Sequence, residues 1–203
     1  MRKKIRFRDF FKFFSGSPIS AENDWLNVHK TRNSANTAIA DYNCGGYCLG
    51  TYSWYNPYSE TYDAEGYEDM VHWVEDMYLD WKISIEEIYD ELMRVAAIQI
   101  EKDFKDTVRI TKNPYDINDG EKLVVYKVGL VFFRNGSDTE YLEHADFHFK
   151  QWEGDHWSDK PGMSPLRKQY LSMEEVINDP WINSWWDGKG YDSPPLFLAV
   201  RKS

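Results

Sequence analysis

The hydrophobic period of this chain changes near Thr107, and that one change limits the folds open to it. Upstream, apolar residues recur at the spacing of a helix face. Ser84 and Glu87 form the pattern of a capping box. Ile85, Ile88, Leu92, Val95, Ala96 and Ile100 then share one side of a helix running to about Phe104. Tyr67, Met70, Val71, Val74, Met77, Tyr78 and Trp81 mark a second amphipathic segment over 67–81. Between Asn56 and Glu65 the turn-rich, tyrosine-rich residues read as a loop. Downstream of Thr107 the pattern is that of strands. Val108-Arg109-Ile110 is short, and Leu123 to Arg134 is rich in Val and Phe, as in a strand buried on both faces. Ala145 to Gln151 alternates, with Ala145, Phe147 and Phe149 on one face and Asp146, His148 and Lys150 on the other. A second capping box, Ser172 with Glu175, opens a short helix before Pro180, and Leu196 to Val200 reads as a closing strand. Helices followed by mostly antiparallel strands give an α+β class.

At 203 residues the chain has room for one domain of ordinary size. Residues 1–18 stand apart as a basic amphipathic segment, in which Arg2, Lys3, Lys4, Arg6, Arg8 and Lys12 interleave with Ile5 and five phenylalanines. Such a segment fits an anionic membrane surface or an acidic partner, reached through residues 1–14, or packing on this protein's own acidic body. Residues 19–203 read as a single domain. A formal net charge of -10 argues against nucleic acid as a partner, because neutralising phosphates needs a basic face. No apolar run has the length of a membrane span, and the N-terminus lacks the uninterrupted apolar core of a signal peptide. The expected location is therefore cytoplasmic, with export by another route left open.

Both cysteines fall in Tyr42-Asn43-Cys44-Gly45-Gly46-Tyr47-Cys48. Four residues apart, they read as reduced thiols rather than a disulfide framework. If a helix starts at Cys44, running to about Trp54, its unsatisfied N–H groups face the thiol and favour the thiolate. Gly45 and Gly46 would leave space beside the sulfur for a substrate. Cys44 is thus the candidate nucleophile, and Cys48, one turn on, reads as core.

A cysteine nucleophile needs a base and a group that orients it. Of the five histidines, His72 lies in a helical pattern as a surface or boundary residue, and His29 in an irregular region. The hairpin around Glu153-Gly154 is more informative. A two-residue turn there pairs Trp152 with Asp155 and, stepping back along the ladder, His148 with Asp159. In that register a carboxylate stands beside an imidazole, although a one-residue slip would separate them.

The order Asn43-Cys44-Gly45-Gly46, then His148, then Asp159 across a hairpin resembles the papain-like cysteine hydrolases, and in particular the NlpC-type cell-wall peptidases and related amidases. In those proteins the nucleophile heads a helix, the histidine lies on the first strands of an antiparallel sheet, and a third polar residue follows on the next strand. Here the histidine strand reads Asp146-Phe147-His148-Phe149, the third residue is Asp, and a long helical insert separates cysteine from histidine. The resemblance implies a papain-like fold, with N-terminal helices packed on an antiparallel sheet. It also implies hydrolysis at an amide or isopeptide bond of a peptide or protein substrate. Cys44 would attack, His148 serve as base and Asp159 orient it. Asn43, Gly45, Gly46 and Trp157 would form the oxyanion and substrate groove. No cofactor is expected.

Two other functions compete. His144, Asp146 and His148 alternate along one strand face and have a spacing that divalent metals accept. Alternatively, a papain-like scaffold can lose its chemistry and keep its groove as a protein-interaction surface. Phosphate-loop and dinucleotide-binding signatures are absent from the sequence.

Overall fold

The computed structural model describes residues 42–51, 53–79, 81–134, 140–162, 166–183, 186 and 188–202. The basic segment 1–18, the polar stretch 19–41 and the turn expected at 135–138 lie outside the described residues. The helices are α1 (Cys44–Cys48), α2 (Ser59–Glu65), α3 (Met70–Leu79), α4 (Ile85–Asp103) and α5 (Met173–Asn178). The strands are β1 (Val108–Thr111), β2 (Glu121–Arg134), β3 (Glu140–Trp152), β4 (Trp157–Asp159), β5 (Arg167–Gln169), β6 (Trp181–Ile182), β7 (Gly190–Tyr191) and β8 (Leu196–Arg201). The class is α+β with antiparallel pairing. Because α5 lies between β5 and β6, the helices are not confined to the N-terminal half.

The described chain divides into two compact units. One takes residues up to Asn56 together with Phe149–Tyr170, and the other takes Pro57–His148 and Leu171–Lys202. Strand β3 contributes to both.

In the larger unit the strand order is β1-β8-β2-β3, with Val108 opposite Val200 and Val124 opposite Leu198. Helix α4 begins at the expected place for the expected reason. The Ser84 hydroxyl accepts from the Glu87 N–H, and the Glu87 carboxylate accepts from the Ser84 N–H at 3.0 Å. Its apolar face buries Ile88, Leu92, Ala96 and Ile100, and the helix packs against β1 and β2. The tyrosine-rich stretch expected to be a loop contains α2. Tyr58, fully buried, donates to the Leu92 carbonyl at 3.1 Å and shares a hydrogen bond with the Tyr126 hydroxyl. Burial of Tyr58 and Tyr62 fixes this stretch, a long-range effect that turn propensity cannot register.

β2 is buried from Leu123 to Val131, as a strand covered on both faces should be. The short β6–β7 ribbon approaches one face closely. A side chain at Gly129 would meet the Gly190 carbonyl at 2.6 Å, and one at Gly190 would meet the Trp181 carbonyl at 2.1 Å. Glycine at both positions lets three backbones touch. Among the described residues no helix is long and apolar enough to cross a membrane.

In the smaller unit the order is β3-β4-β5, and α1 is the one described helix. α1 ends at Cys48, well short of Trp54. Leu49 caps it, and Gly50 follows at φ 77°, a left-handed conformation that stops a helix.

Candidate functional site

A helix of five residues does not hold together in water by itself. α1 is held by its neighbours. Asn43 is its N-cap, with Oδ1 accepting from the Gly46 N–H at 3.0 Å and the Tyr55 N–H at 3.2 Å, while Nδ2 donates to the Tyr55 carbonyl at 2.7 Å. The asparagine expected to supply an oxyanion donor is thus used as a cap and as a clasp on the Tyr55 backbone. Cys44 is the first helical residue, and neither cysteine is in a disulfide. Cys44 is 4% exposed and Cys48 is fully buried.

The room expected beside the sulfur is filled by protein. A side chain on Gly46 would lie 1.8 Å from the Ser53 carbonyl oxygen, and one on Gly45 would crowd Tyr55 and Phe149 at 3.1 and 3.3 Å. Close packing of α1 accounts for both glycines. The far side of α1 is fastened through Tyr47, whose hydroxyl hydrogen-bonds Ser158 Oγ at 3.0 Å and donates to Glu153 Oε1 at 3.4 Å. Ser158 donates to the same oxygen at 2.8 Å, and the Gln151 amide donates to it as well. Burial pushes the Tyr47 phenol well above its ordinary range.

The hairpin register differs from the one expected. Trp152 pairs with Trp157, not with Asp155, and Gln151 pairs with Ser158. The loop is therefore residues 153–156, closed by the Glu153 N–H on the His156 carbonyl at 2.9 Å, with Gly154 at φ 105°. Two further loop residues move every pairing by two positions, so continuing the ladder one step sets Asp159 opposite Lys150 rather than His148. The shift is visible in the side chains. Asp159 Oδ2 accepts from Lys150 Nζ at 2.9 Å, and Arg167 grips both carboxylate oxygens at 3.0 and 2.5 Å. Lys150 also donates to Gln169. Burial pulls the Lys150 ammonium down, while Asp159 opposes that pull. Trp157, expected on the wall of a groove, is fully buried and packs on Trp152 with ring centroids 5.2 Å apart. It serves as core, on a strand whose three residues are all buried.

His148 is buried in the larger unit. Its ring stacks on Tyr191 at 5.2 Å and 25°, and meets Trp181 edge-on at 6.1 Å and 84°. The other members of its row are similarly engaged. His144 stacks on Trp186 at 5.7 Å, and Asp146 accepts from the Tyr191 hydroxyl at 2.9 Å. Burial pushes the Asp146 carboxyl up to about 6. Among the described residues no group of three His, Cys, Asp or Glu side chains is arranged to hold an ion, and aromatic rings occupy the space over this row.

Sequence reasoning missed Lys150, Arg167, Tyr47 and Tyr191. The only advance signal was Lys150 itself, a cation alternating onto a strand face with an aspartate on the next strand. Comparison with protein families, with curated proteins and with solved structures finds no match.

Proposed function

We propose that this protein is a cysteine-dependent hydrolase of papain-like type, acting on an amide or isopeptide bond of a peptide or protein. Cys44 attacks the carbonyl as thiolate. His148 takes the thiol proton and returns it to the leaving amine, and water then hydrolyses the thioester. The carboxylate expected to orient His148, that of Asp159, is held by Lys150 and Arg167. The observation that supports this reading is the placement of Cys44 as first residue of a capped helix, with Asn43 and Gly46 closing the cap around it. At such a position backbone N–H groups favour the thiolate.

The test is labelling by a thiol-directed electrophile at neutral pH, read by peptide mass spectrometry. Cys44→Ala is expected to abolish labelling, and Cys48→Ala to leave it intact. Labelling that survives in Cys44→Ala overturns the assignment.

One observation favours a second reading, a papain-like protein that binds without cutting. Cys44 is nearly covered, and the Asp159 carboxylate is held between Lys150 and Arg167. Buried thiols are ordinarily inert. That reading predicts no preferential labelling of either cysteine.

A further inference from the structure

The row His144, Asp146, His148 on β3 and the β6–β7 ribbon form a layer of rings and polar groups inside the larger unit. A general base needs a fixed ring plane and a fixed tautomer, usually set by a neighbouring group. The neighbour that bears on the ring plane is Tyr191. Its ring lies along the His148 imidazole, with an interplanar angle of 25°. Its hydroxyl donates to Asp146 at 2.9 Å and accepts from Asn183 Nδ2 at 3.2 Å, so it is held at both ends. Behind it, Trp186 packs at 5.0 Å. The backbone beside it has no freedom either, because Gly190 touches the Trp181 carbonyl and Gly129 touches Gly190.

The second bracket on the imidazole is Trp181, which is itself anchored. Its indole N–H donates to the Val176 carbonyl at 2.9 Å, and the Lys127 ammonium lies 5.4 Å over its ring. Among the described residues the titratable and charged groups around this layer include His144 and Asp146 on β3, Tyr191 on β7, Lys127 on β2 and Tyr58, which interacts electrostatically with Asp146.

We propose that Tyr191, held by Asp146 and Asn183, is a positioning residue that holds the ring plane of His148 and steadies the Asp146 carboxylate two residues before it. The proposal rests on the reading of His148 as the base for Cys44. It gives that base an orienting arm two residues upstream on its own strand, through a tyrosine from a distant part of the chain.

The test uses the full chain labelled with ¹⁵N-histidine, with the imidazole signals of His148 followed by NMR across its titration and assigned with His148→Gln. Asp146→Asn is expected to lower the midpoint by about half a unit or more, because a nearby carboxylate favours the charged ring. Tyr191→Phe keeps the stack and loses the hydroxyl. It is expected to lower the midpoint by less, since it removes a hydrogen bond to the ionised carboxylate. Tyr191→Leu removes the stacked ring and is expected to broaden the imidazole signals as the ring loses its fixed plane. Should Tyr191→Leu fail to fold, the other two variants decide. An unchanged midpoint in both Asp146→Asn and Tyr191→Phe overturns the proposal. Cys44 labelling in the unaltered protein separates the two ideas. Absent labelling with responsive ring signals rejects the hydrolase and keeps Tyr191 as the positioner of His148. Normal labelling with unresponsive ring signals rejects only the positioning.

Discussion

Strand β3 buries polar side chains in two different ways. In the smaller unit Lys150 is neutralised by charge, through Asp159, with Arg167 as a second cation on the same carboxylate. In the larger unit His148 is buried under aromatic rings, while half-buried His144 lies against Trp186 and half-buried Asp146 accepts from a tyrosine hydroxyl. An ammonium loses too much hydration to be buried without a countercharge. An imidazole can be buried neutral against an aromatic face, and a carboxyl can take up a proton instead of finding a cation. The difference predicts that the first region fails abruptly when one partner is lost, and that the second responds gradually to pH.

The largest effect is expected at Asp159. Asp159→Asn leaves the Lys150 ammonium without its carboxylate in a buried site, and should cost about 3–5 kcal/mol by urea unfolding. A loss below about 1 kcal/mol would break the comparison, since it would mean that charge pairing matters little there.

Asp146 should behave in the opposite sense. Its folded-state pKa, about 6, lies above the ordinary value of 3.8. The folded protein therefore holds this proton more tightly than the unfolded chain. The resulting stabilisation is complete below the unfolded pKa and is lost as pH rises through about 6. Asp146→Asn removes that dependence. Relative to the unaltered protein, the variant should gain roughly 1–3 kcal/mol between pH 4 and pH 7.5, read from urea midpoints at the two pH values. A constant difference across that range would show that Asp146 does not titrate differently in the folded state.

Tyr191→Phe tests the aromatic cover more gently. It keeps the ring over His148 and removes one hydrogen bond to Asp146, so a loss of about 1 kcal/mol is expected at neutral pH. A loss as large as that of Asp159→Asn would put the two regions in one class. Smallest of all, and outside both regions, Ser84→Ala removes the cap of α4 and should cost about 0.5–1 kcal/mol with no change in Cys44 labelling.

The helical and strand segments were legible wherever the signal was local. Ser84 and Glu87 announce α4, Ser172 and Glu175 announce α5, and the Val- and Phe-rich run announces β2. Each signal acts within a few residues of itself. The tyrosine-rich stretch at α2 was not legible, because Tyr58 and Tyr62 act by burial against distant elements. The candidate site was legible only as a set of residue types. Cys44 at a helix start followed from Asn43 and the two glycines, although the glycines turned out to admit neighbouring backbone and rings.

The sequence by itself determined that helices precede most of the strands, and that Asp146, His148 and Lys150 share a strand face. Both follow from chain periodicity and capping chemistry. Tertiary structure decided what each of those side chains meets. A hairpin loop of four residues instead of two gives Lys150, not His148, the position opposite Asp159. A ribbon from residues 181–191 supplies the rings over His144 and His148. The physical reason is that strand period fixes only the face, while register and cover depend on loop geometry and on chain segments far away in sequence.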